Sequence, residues 1–353
     1  GGLIFHVEVP GDPDRPGAVT SSMTALAAAD TNHANDTGES TTIALDLRNG
    51  DYTVFASNGR QYILTLNFNE LSYEMSGQQV NKSGSFGLDT DGVSYVFDIV
   101  GTARFRTAAD MVVGGFDFNL VGSTHSYDHG VRPFVAARRF TLDHASLDGT
   151  SFNLLGLNLR RSEDHPPESR VLPSTFGPGV LKTCTAPIPV RVDQCPAEFL
   201  FTYALATVGS EIRGIDAVHE DTIHFRLAQS GSALVLLRSE DAADNTGRHF
   251  RVGLPETTGL AGGSFVTSST RAAWGNTTLS DTHYAFTGTT TAGGTIDEQA
   301  DLTPLNAAAP AGLRRGLRST DSAPIQLAQN APLALMLGER GGVAEGTMDI
   351  SVP

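Results

Sequence analysis

The chain has 353 residues, which suits one large domain or two ordinary ones. Hydrophobic residues make up 40% of the chain and charged residues only 18%, so threonine, serine, asparagine and glycine supply much of its polarity. The formal net charge of −15 argues against nucleic acid or an anionic bilayer as a partner, because phosphate binding requires a cationic face. No run of about 18 apolar residues occurs, so no transmembrane segment is predicted.

Strand signals begin at the N-terminus, where residues 3–9 (LIFHVEV) alternate apolar and polar side chains with a period of two. Residues 24–29 are rich in alanine and allow one or two helical turns, and residues 41–47 predict the next strand. Further strands then recur roughly every 8–12 residues with Gly, Asn and Asp between them, which is typical of a sandwich or barrel. The predicted strands of this half are 52–56, 61–68, 71–75, 84–88, 93–99, 103–106, 111–120, 134–142 and 152–159.

A proline-rich seam follows at residues 163–197, which hold seven of the 17 prolines and both cysteines. Proline removes a backbone donor and fixes φ, so the seam is predicted to contain neither a continuous helix nor a central strand. The predicted fold is therefore all-β, with two tandem antiparallel β-barrel or β-sandwich domains joined by a Pro-rich, disulfide-containing linker. The predicted boundaries are residues 1–165 for the N-terminal β-domain, 166–197 for the linker and 198–353 for the C-terminal β-domain.

The two cysteines, Cys184 and Cys195, lack the neighbouring ligands that a zinc site needs, so a disulfide is predicted. Such a short loop would stabilise the fold by about 3 kcal/mol and implies an oxidising compartment. The alternative is a pair of buried free thiols. The chain opens at Gly1 without a signal peptide, which is expected of a mature exported form in the periplasm, on the outer membrane surface or outside the cell. A lipid anchor at a residue before Gly1 is compatible with this expectation.

The second half continues the strand pattern after the seam. Residues 52–70 resemble residues 223–241, with a glycine-centred turn at the same place, and this similarity raises the hypothesis of an internal duplication. The alternative is that any two series of β-hairpins look alike at this level. The predicted strands of this half are 198–208, 212–218, 222–228, 233–238, 249–254, 264–268, 282–290, 294–302, 325–328, 333–337 and 347–352.

The motifs of well-known catalytic sites do not occur in the chain. No stretch fits the nucleophile elbow, the phosphate loop, the dinucleotide fingerprint or the zinc-protease helix, so no catalytic residue and no cofactor is predicted. The richest cluster is the loop 125–129, in which His125, Asp128 and His129 could converge on a metal ion such as Zn, Mn or Fe. The alternative is a polar connecting loop whose histidines face solvent or hold the turn.

The single tryptophan, Trp274, stands beside Gly275 and Asn276 in a predicted loop. An exposed tryptophan can stack on a sugar ring, so Trp274 is a candidate binding residue, whereas a core position is the alternative.

Three functional hypotheses follow from these observations. The favoured one is a non-catalytic exported protein of the bacterial cell envelope or surface, derived from a lipoprotein, which binds an unknown protein or small molecule or has a structural role. The second is a β-barrel that binds a small ligand. The third is a secreted hydrolase that uses a metal or paired carboxylates, although the sequence leans away from an enzyme.

Overall fold

The computed structural model describes residues 46–99, 103–108, 110–160, 166–242, 247–340 and 345–353. The predicted elements at 3–9 and 24–29 lie outside these ranges, as do residues 41–45 of the strand predicted at 41–47. Within them the regular secondary structure is almost entirely β, which confirms the predicted class. The helical residues there form four single 3-10 turns, at Ser126–Asp128, Ala145–Leu147, Val192–Gln194 and Ala197–Phe199. None of these described helices is long and apolar enough to cross a membrane.

The first sheet is a closed, antiparallel barrel in which each strand pairs with the next and the last returns to the first. Its strands are β1 (Gly50–Ala56), β2 (Gln61–Asn67), β3 (Ser72–Gly77), β4 (Val80–Leu88), β5 (Tyr95–Phe97), β6 (Arg104–Ala108), β7 (Met111–Asp117) and β8 (Val131–Ala137). Alternate residues point inward, and aromatic rings fill this interior. Tyr62 stacks on Phe118 with ring centroids 4.5 Å apart, and Phe97 meets Phe116 edge to face at 5.2 Å.

The second sheet also closes on itself, because β10 pairs with β17 and β14 pairs with β15. The short strand β9 is added beside β15. Its strands are β9 (Phe140–Thr141), β10 (Ser151–Arg160), β11 (Glu168–Gly177), β12 (Val180–Cys184), β13 (Leu200–Val208), β14 (Glu211–Asp216), β15 (Asp221–Ser230), β16 (Ala233–Asp241) and β17 (Gly247–Pro255).

The third sheet has nine strands and curls into a barrel-like ring. They are β18 (Gly263–Ser269), β19 (Ala273–Leu279), β20 (His283–Thr290), β21 (Thr295–Asp301), β22 (Thr303–Pro304), β23 (Arg314–Leu317), β24 (Pro324–Asn330), β25 (Leu333–Arg340) and β26 (Glu345–Val352). Thr303 pairs with Arg315, and the Ser319 N–H donates to the Gln299 carbonyl at 2.7 Å. Both contacts belong to one antiparallel register, which brings the two ends of the sheet together.

The proline-rich seam differs from its prediction, since β11 and β12 run through residues 168–184 and lie centrally in the second sheet. Pro173 pairs with Asn153 of β10 on one side, but on the other side the pairing of β11 with β12 begins only at Ser174. Pro173 is therefore tolerated although it has no backbone N–H. The lost donor therefore lies where β11 has a ladder on one side alone. The sheets change over after Ala137 and after Pro255, so the predicted linker falls inside the second sheet.

The predicted disulfide is confirmed. Cys184 ends β12 and is bonded to Cys195, with the two Cα atoms 5.8 Å apart. Between Cys184 and β13 the chain contains only 3-10 turns and loop, so this part of the seam does lack strands.

The three barrels pack against one another through their outer faces, which form a single apolar cluster that we call the central cluster. The first barrel contributes Val135, the second Leu157 and Val252, and the third Leu335 and Ile350, and all five are almost completely buried. Because side chains alternate along a strand, the neighbours of these residues fill the barrel interiors. The chain therefore buries both faces of many of its strands.

Replacement of Leu335 by alanine tests the central cluster. We expect Leu335→Ala to lower the free energy of unfolding by about 2–5 kcal/mol, because a buried leucine leaves a cavity when it is truncated. Leu317→Ala is the matched control, since Leu317 lies in the same barrel but is 61% exposed, and it should change stability by less than about 0.5 kcal/mol. Equal effects of the two variants in urea unfolding would contradict a shared core.

Candidate functional site

A cleft of about 450 Å³ lies where the three barrels meet, and we call it the junction cleft. This volume is within the range of roughly 300–1,000 Å³ that is typical of small-ligand sites. Aliphatic side chains of β10 and β21 line part of it. Its polar lining residues include Arg132, Arg271 and Glu345, and Ser and Thr residues of the first and third barrels, which are Ser57, Ser126, Thr270, Thr290 and Thr347.

Arg132 forms one wall of the junction cleft and ties two barrels together. Its Nε donates to the His129 carbonyl at 2.9 Å and its Nη1 donates to the Thr270 carbonyl at 2.9 Å, while Nη2 donates to the Ser126 carbonyl. Burial lowers the pKa of the Arg132 guanidinium, whereas the negative charges of Glu345 and Asp128 act in the opposite direction. The cleft thus has a cation fixed in its wall by neutral acceptors.

The hairpin turn between β18 and β19 gives the cleft a strained rim. Ala272 has a φ of 54°, a left-handed conformation that costs a residue with a Cβ about 1 kcal/mol or more. It is held there because its carbonyl accepts from the Thr291 N–H at 2.9 Å and from the Thr291 hydroxyl at 3.1 Å. This strain is stored where Thr270, Arg271 and Ala272 line the cleft.

The residues of the predicted metal site do not converge. Asp128 is fully buried and accepts from Arg248 through both oxygens, at 2.7 and 3.2 Å, and from the Ser123 hydroxyl at 2.6 Å. His129 places Nε2 2.8 Å from the Ser123 carbonyl, so Nε2 is the donor, and the His125 ring stacks on Tyr127. In the described part of the chain, no three His, Cys, Asp or Glu residues are grouped to hold a metal.

The 125–129 loop nevertheless belongs to the candidate site, because it contributes Ser126 and Tyr127 to the junction cleft. The Tyr127 hydroxyl donates to the Arg160 carbonyl at 2.9 Å, and the Asp128–Arg248 ion pair also joins the first barrel to the second. The loop therefore helps to hold the first barrel against the second. The polar residues of the loop do not predict this role from the sequence.

Trp274 lies in β19 and not in a loop, opposite Ser268 and Thr289. Its side chain is only 8% exposed and packs in the central cluster. It is not among the residues that line the junction cleft. Its proposed role in stacking on a ligand remains a prediction.

A buried ionic cluster fills one end of the third barrel directly behind the cleft. Arg271 reaches inward to Glu298 Oε2 at 2.7 Å and to Asp349 Oδ2 at 2.9 Å. The Tyr284 hydroxyl lies 3.2 Å from Glu298 Oε1 and 3.1 Å from Asp349 Oδ2. Burial raises the pKa of Asp349, Arg271 opposes this shift and Glu298 adds to it. The two carboxylates are the kind of pair that a hydrolase requires, yet neither lines the junction cleft.

No protein family matches the sequence, and no curated protein is similar to it. Among solved structures, a mutant of the vaccine antigen Transferrin Binding Protein B from Haemophilus parasuis Hp5 is similar at 6% identity and a TM-score of 0.23. The match covers 82% of this chain and 65% of the antigen's chain.

Replacement of Asp349 by asparagine should change how stability depends on pH. The native carboxyl has a raised pKa, so its stabilising contribution is present below about pH 3.8 and is lost as pH rises through the native pKa. Asparagine cannot lose a proton. Asp349→Asn should therefore gain stability relative to the wild type as pH rises, by roughly 1.4 kcal/mol per unit of pKa shift.

Urea unfolding from pH 3.5 to 7 measures this difference. Asp297→Asn is the control, because Asp297 lies in β21 beside Glu298 with its side chain exposed, and it should follow the wild type. A difference between Asp349→Asn and the wild type that stays constant across the pH range would contradict a raised pKa of Asp349 in the native barrel.

Proposed function

We propose that the chain is an exported, non-catalytic binding protein of the bacterial cell envelope or surface, with its ligand held in the junction cleft. The observation that carries this proposal is the lining of the cleft, where five Ser and Thr residues, Arg132 and Glu345 stand beside the aliphatic residues Leu157, Leu159 and Ile296. A few polar groups converging within an apolar wall are typical of a ligand site.

The chemistry of this lining favours a polar ligand rich in oxygen. Hydroxyl groups both donate and accept, whereas Arg132 only donates. A sugar unit fits this set of donors and acceptors, and so does a short polar segment of a partner protein. The aliphatic patches would then cover the apolar face of the ligand.

Export is supported by the Cys184–Cys195 disulfide, since such bonds persist mainly in oxidising compartments. A periplasmic, outer-membrane-surface or extracellular location, with or without a lipid anchor, is part of the same proposal.

Three carboxylates near the cleft already have hydrogen-bond partners within the fold, which favours binding over hydrolysis. Asp128 is held by Arg248 and Ser123, and Glu298 and Asp349 are enclosed with Arg271 and Tyr284. The aromatic packing inside the first barrel likewise favours a ligand between barrels over one inside that barrel.

A cleft-filling substitution tests the proposal. Ser126 is exposed and lines the cleft, whereas Thr124 is exposed in the same loop but does not line it. Native mass spectrometry of protein purified without denaturation from its own host should show a bound mass on the wild type and on Thr124→Trp. Ser126→Trp should lose that mass, because the indole occupies the space of the ligand.

Two results would contradict the proposal. One is a wild-type protein that carries no additional mass. The other is a bound mass that survives in Ser126→Trp, which would place the ligand elsewhere.

A further inference from the structure

The second barrel carries three arginines on one cross-strand row of its inner face. Gly156 of β10 pairs with Arg170 of β11 on one side and with Arg251 of β17 on the other, and Arg251 pairs with Arg238 of β16. The row faces inward, because Leu154 belongs to the interior cluster of this barrel, whereas the adjacent residues of β10 belong to the central cluster. Like charges directly opposite each other destabilise a sheet, so Arg238 and Arg251 form an unfavourable pair in the absence of an anion.

Arg251 is a buried cation whose bonds are all to neutral groups. It is 2% exposed, and its guanidinium donates to the carbonyls of Leu157 and Phe250 and to the Asn158 side-chain oxygen. Its Nε has no hydrogen-bond partner among the described residues. A buried charge without an anionic contact is costly to the fold. Burial and the charges of Arg238 and Arg170 lower the pKa of Arg251 to about 9.

The carboxylates at this end of the barrel pair with the two outer arginines of the row and with Arg160. Glu240 accepts from Arg238 Nε and from the His224 N–H at 2.8 Å. Glu168 contacts Arg170 at 3.0 Å and Arg160 at 3.4 Å. On another strand of the barrel, Asp221 accepts from the Tyr203 hydroxyl at 2.6 Å.

His249 lies beside the arginine row and contributes no positive charge to it. Its Nδ1 lies 3.1 Å from the Asn158 side-chain oxygen, which also accepts from Arg251, so Nδ1 is a donor. Burial and the charges of Arg238, Arg251 and Arg160 lower the pKa of His249 to about 2, which keeps the imidazole neutral. In a chain with a net charge of −15, this end of the barrel is thus locally cationic.

We propose that the mouth of the second barrel, formed by Arg170, Arg238 and Arg251, binds a small oxyanion such as a phosphate, sulfate or carboxylate group. The planar guanidinium forks match the oxygen pairs of such anions. Gly156 lets β17 approach β10 closely within the row, since a Cβ there would lie 1.9 Å from the Phe250 carbonyl oxygen. The row also leads from solvent inward, because the Arg170 side chain is 42% exposed.

Calorimetric titration of the full chain with inorganic phosphate, at pH 7 and with ionic strength held constant by chloride, tests the site. The wild type should bind one phosphate. Arg170→Gln should weaken binding by roughly tenfold or more, because it removes one charge-assisted contact at the exposed end of the row. Arg170→Lys, which keeps the charge but not the fork, should lie between the two.

Arg315→Gln is the matched control, since Arg315 is an exposed arginine of the third barrel, and it should bind phosphate like the wild type. A second titration with methyl phosphate distinguishes the sources of the anion. Equal affinity indicates a phosphate group on a larger ligand, whereas binding of inorganic phosphate alone indicates the free ion.

Three results would overturn the proposal: no stoichiometric binding of either anion to the wild type at millimolar concentration, unchanged affinity in a folded Arg170→Gln, or equal weakening in Arg315→Gln. The last would mean that net charge alone attracts the anion. Because this site lies in the second barrel and not in the junction cleft, its failure leaves the proposed cleft ligand unaffected.

Discussion

Burial of apolar surface between the outer faces of the three barrels is the interaction on which the rest of the structure depends. A barrel that stood alone would keep its outward-facing side chains in water, but here Leu157, Val252 and Leu335 are buried against the other barrels. Removal of contiguous apolar surface of this kind from water strongly stabilises the folded chain. The Asp128–Arg248 ion pair lies at the same junction. The Asp128 carboxylate is fully buried, and hydrogen bonds from Arg248 and Ser123 offset the cost of its burial.

The junction cleft follows from the same packing. Rounded barrels leave space where three of them meet, and loops between strands line that space. Two arginines connect the cleft with the packing of the barrels. Arg132 binds carbonyl groups of two barrels, and Arg271 extends from the cleft into the third barrel, where it contacts Glu298. A ligand in the cleft would therefore contact groups whose positions are fixed by the packing of the barrels.

The sequence predicted local structure well and long-range closure poorly. Period-two alternation and turn residues located most strands, and the spacing of Cys184 and Cys195 identified the disulfide. Pro173 concealed β11, because its tolerance depends on where pairing with β12 begins. Ring closure of each sheet joins strands far apart in the chain, which no local pattern records. The suggested duplication matched 52–70, which are the first strands of one barrel, with 223–241, which lie late in the next, so those segments are not equivalent.

The site residues show the same limit. The 125–129 loop was recognised for its histidines, but its role depends on Arg248, 120 positions away. The arginine row of the second barrel could not be recognised either, because its members are contiguous only through the register of four strands.

Differential scanning calorimetry of the whole chain tests most directly whether the three barrels share one core. A shared core predicts a single transition in which the calorimetric enthalpy equals the van't Hoff enthalpy, as for one cooperative unit. Two or more separable transitions, with barrels that melt independently, would contradict it.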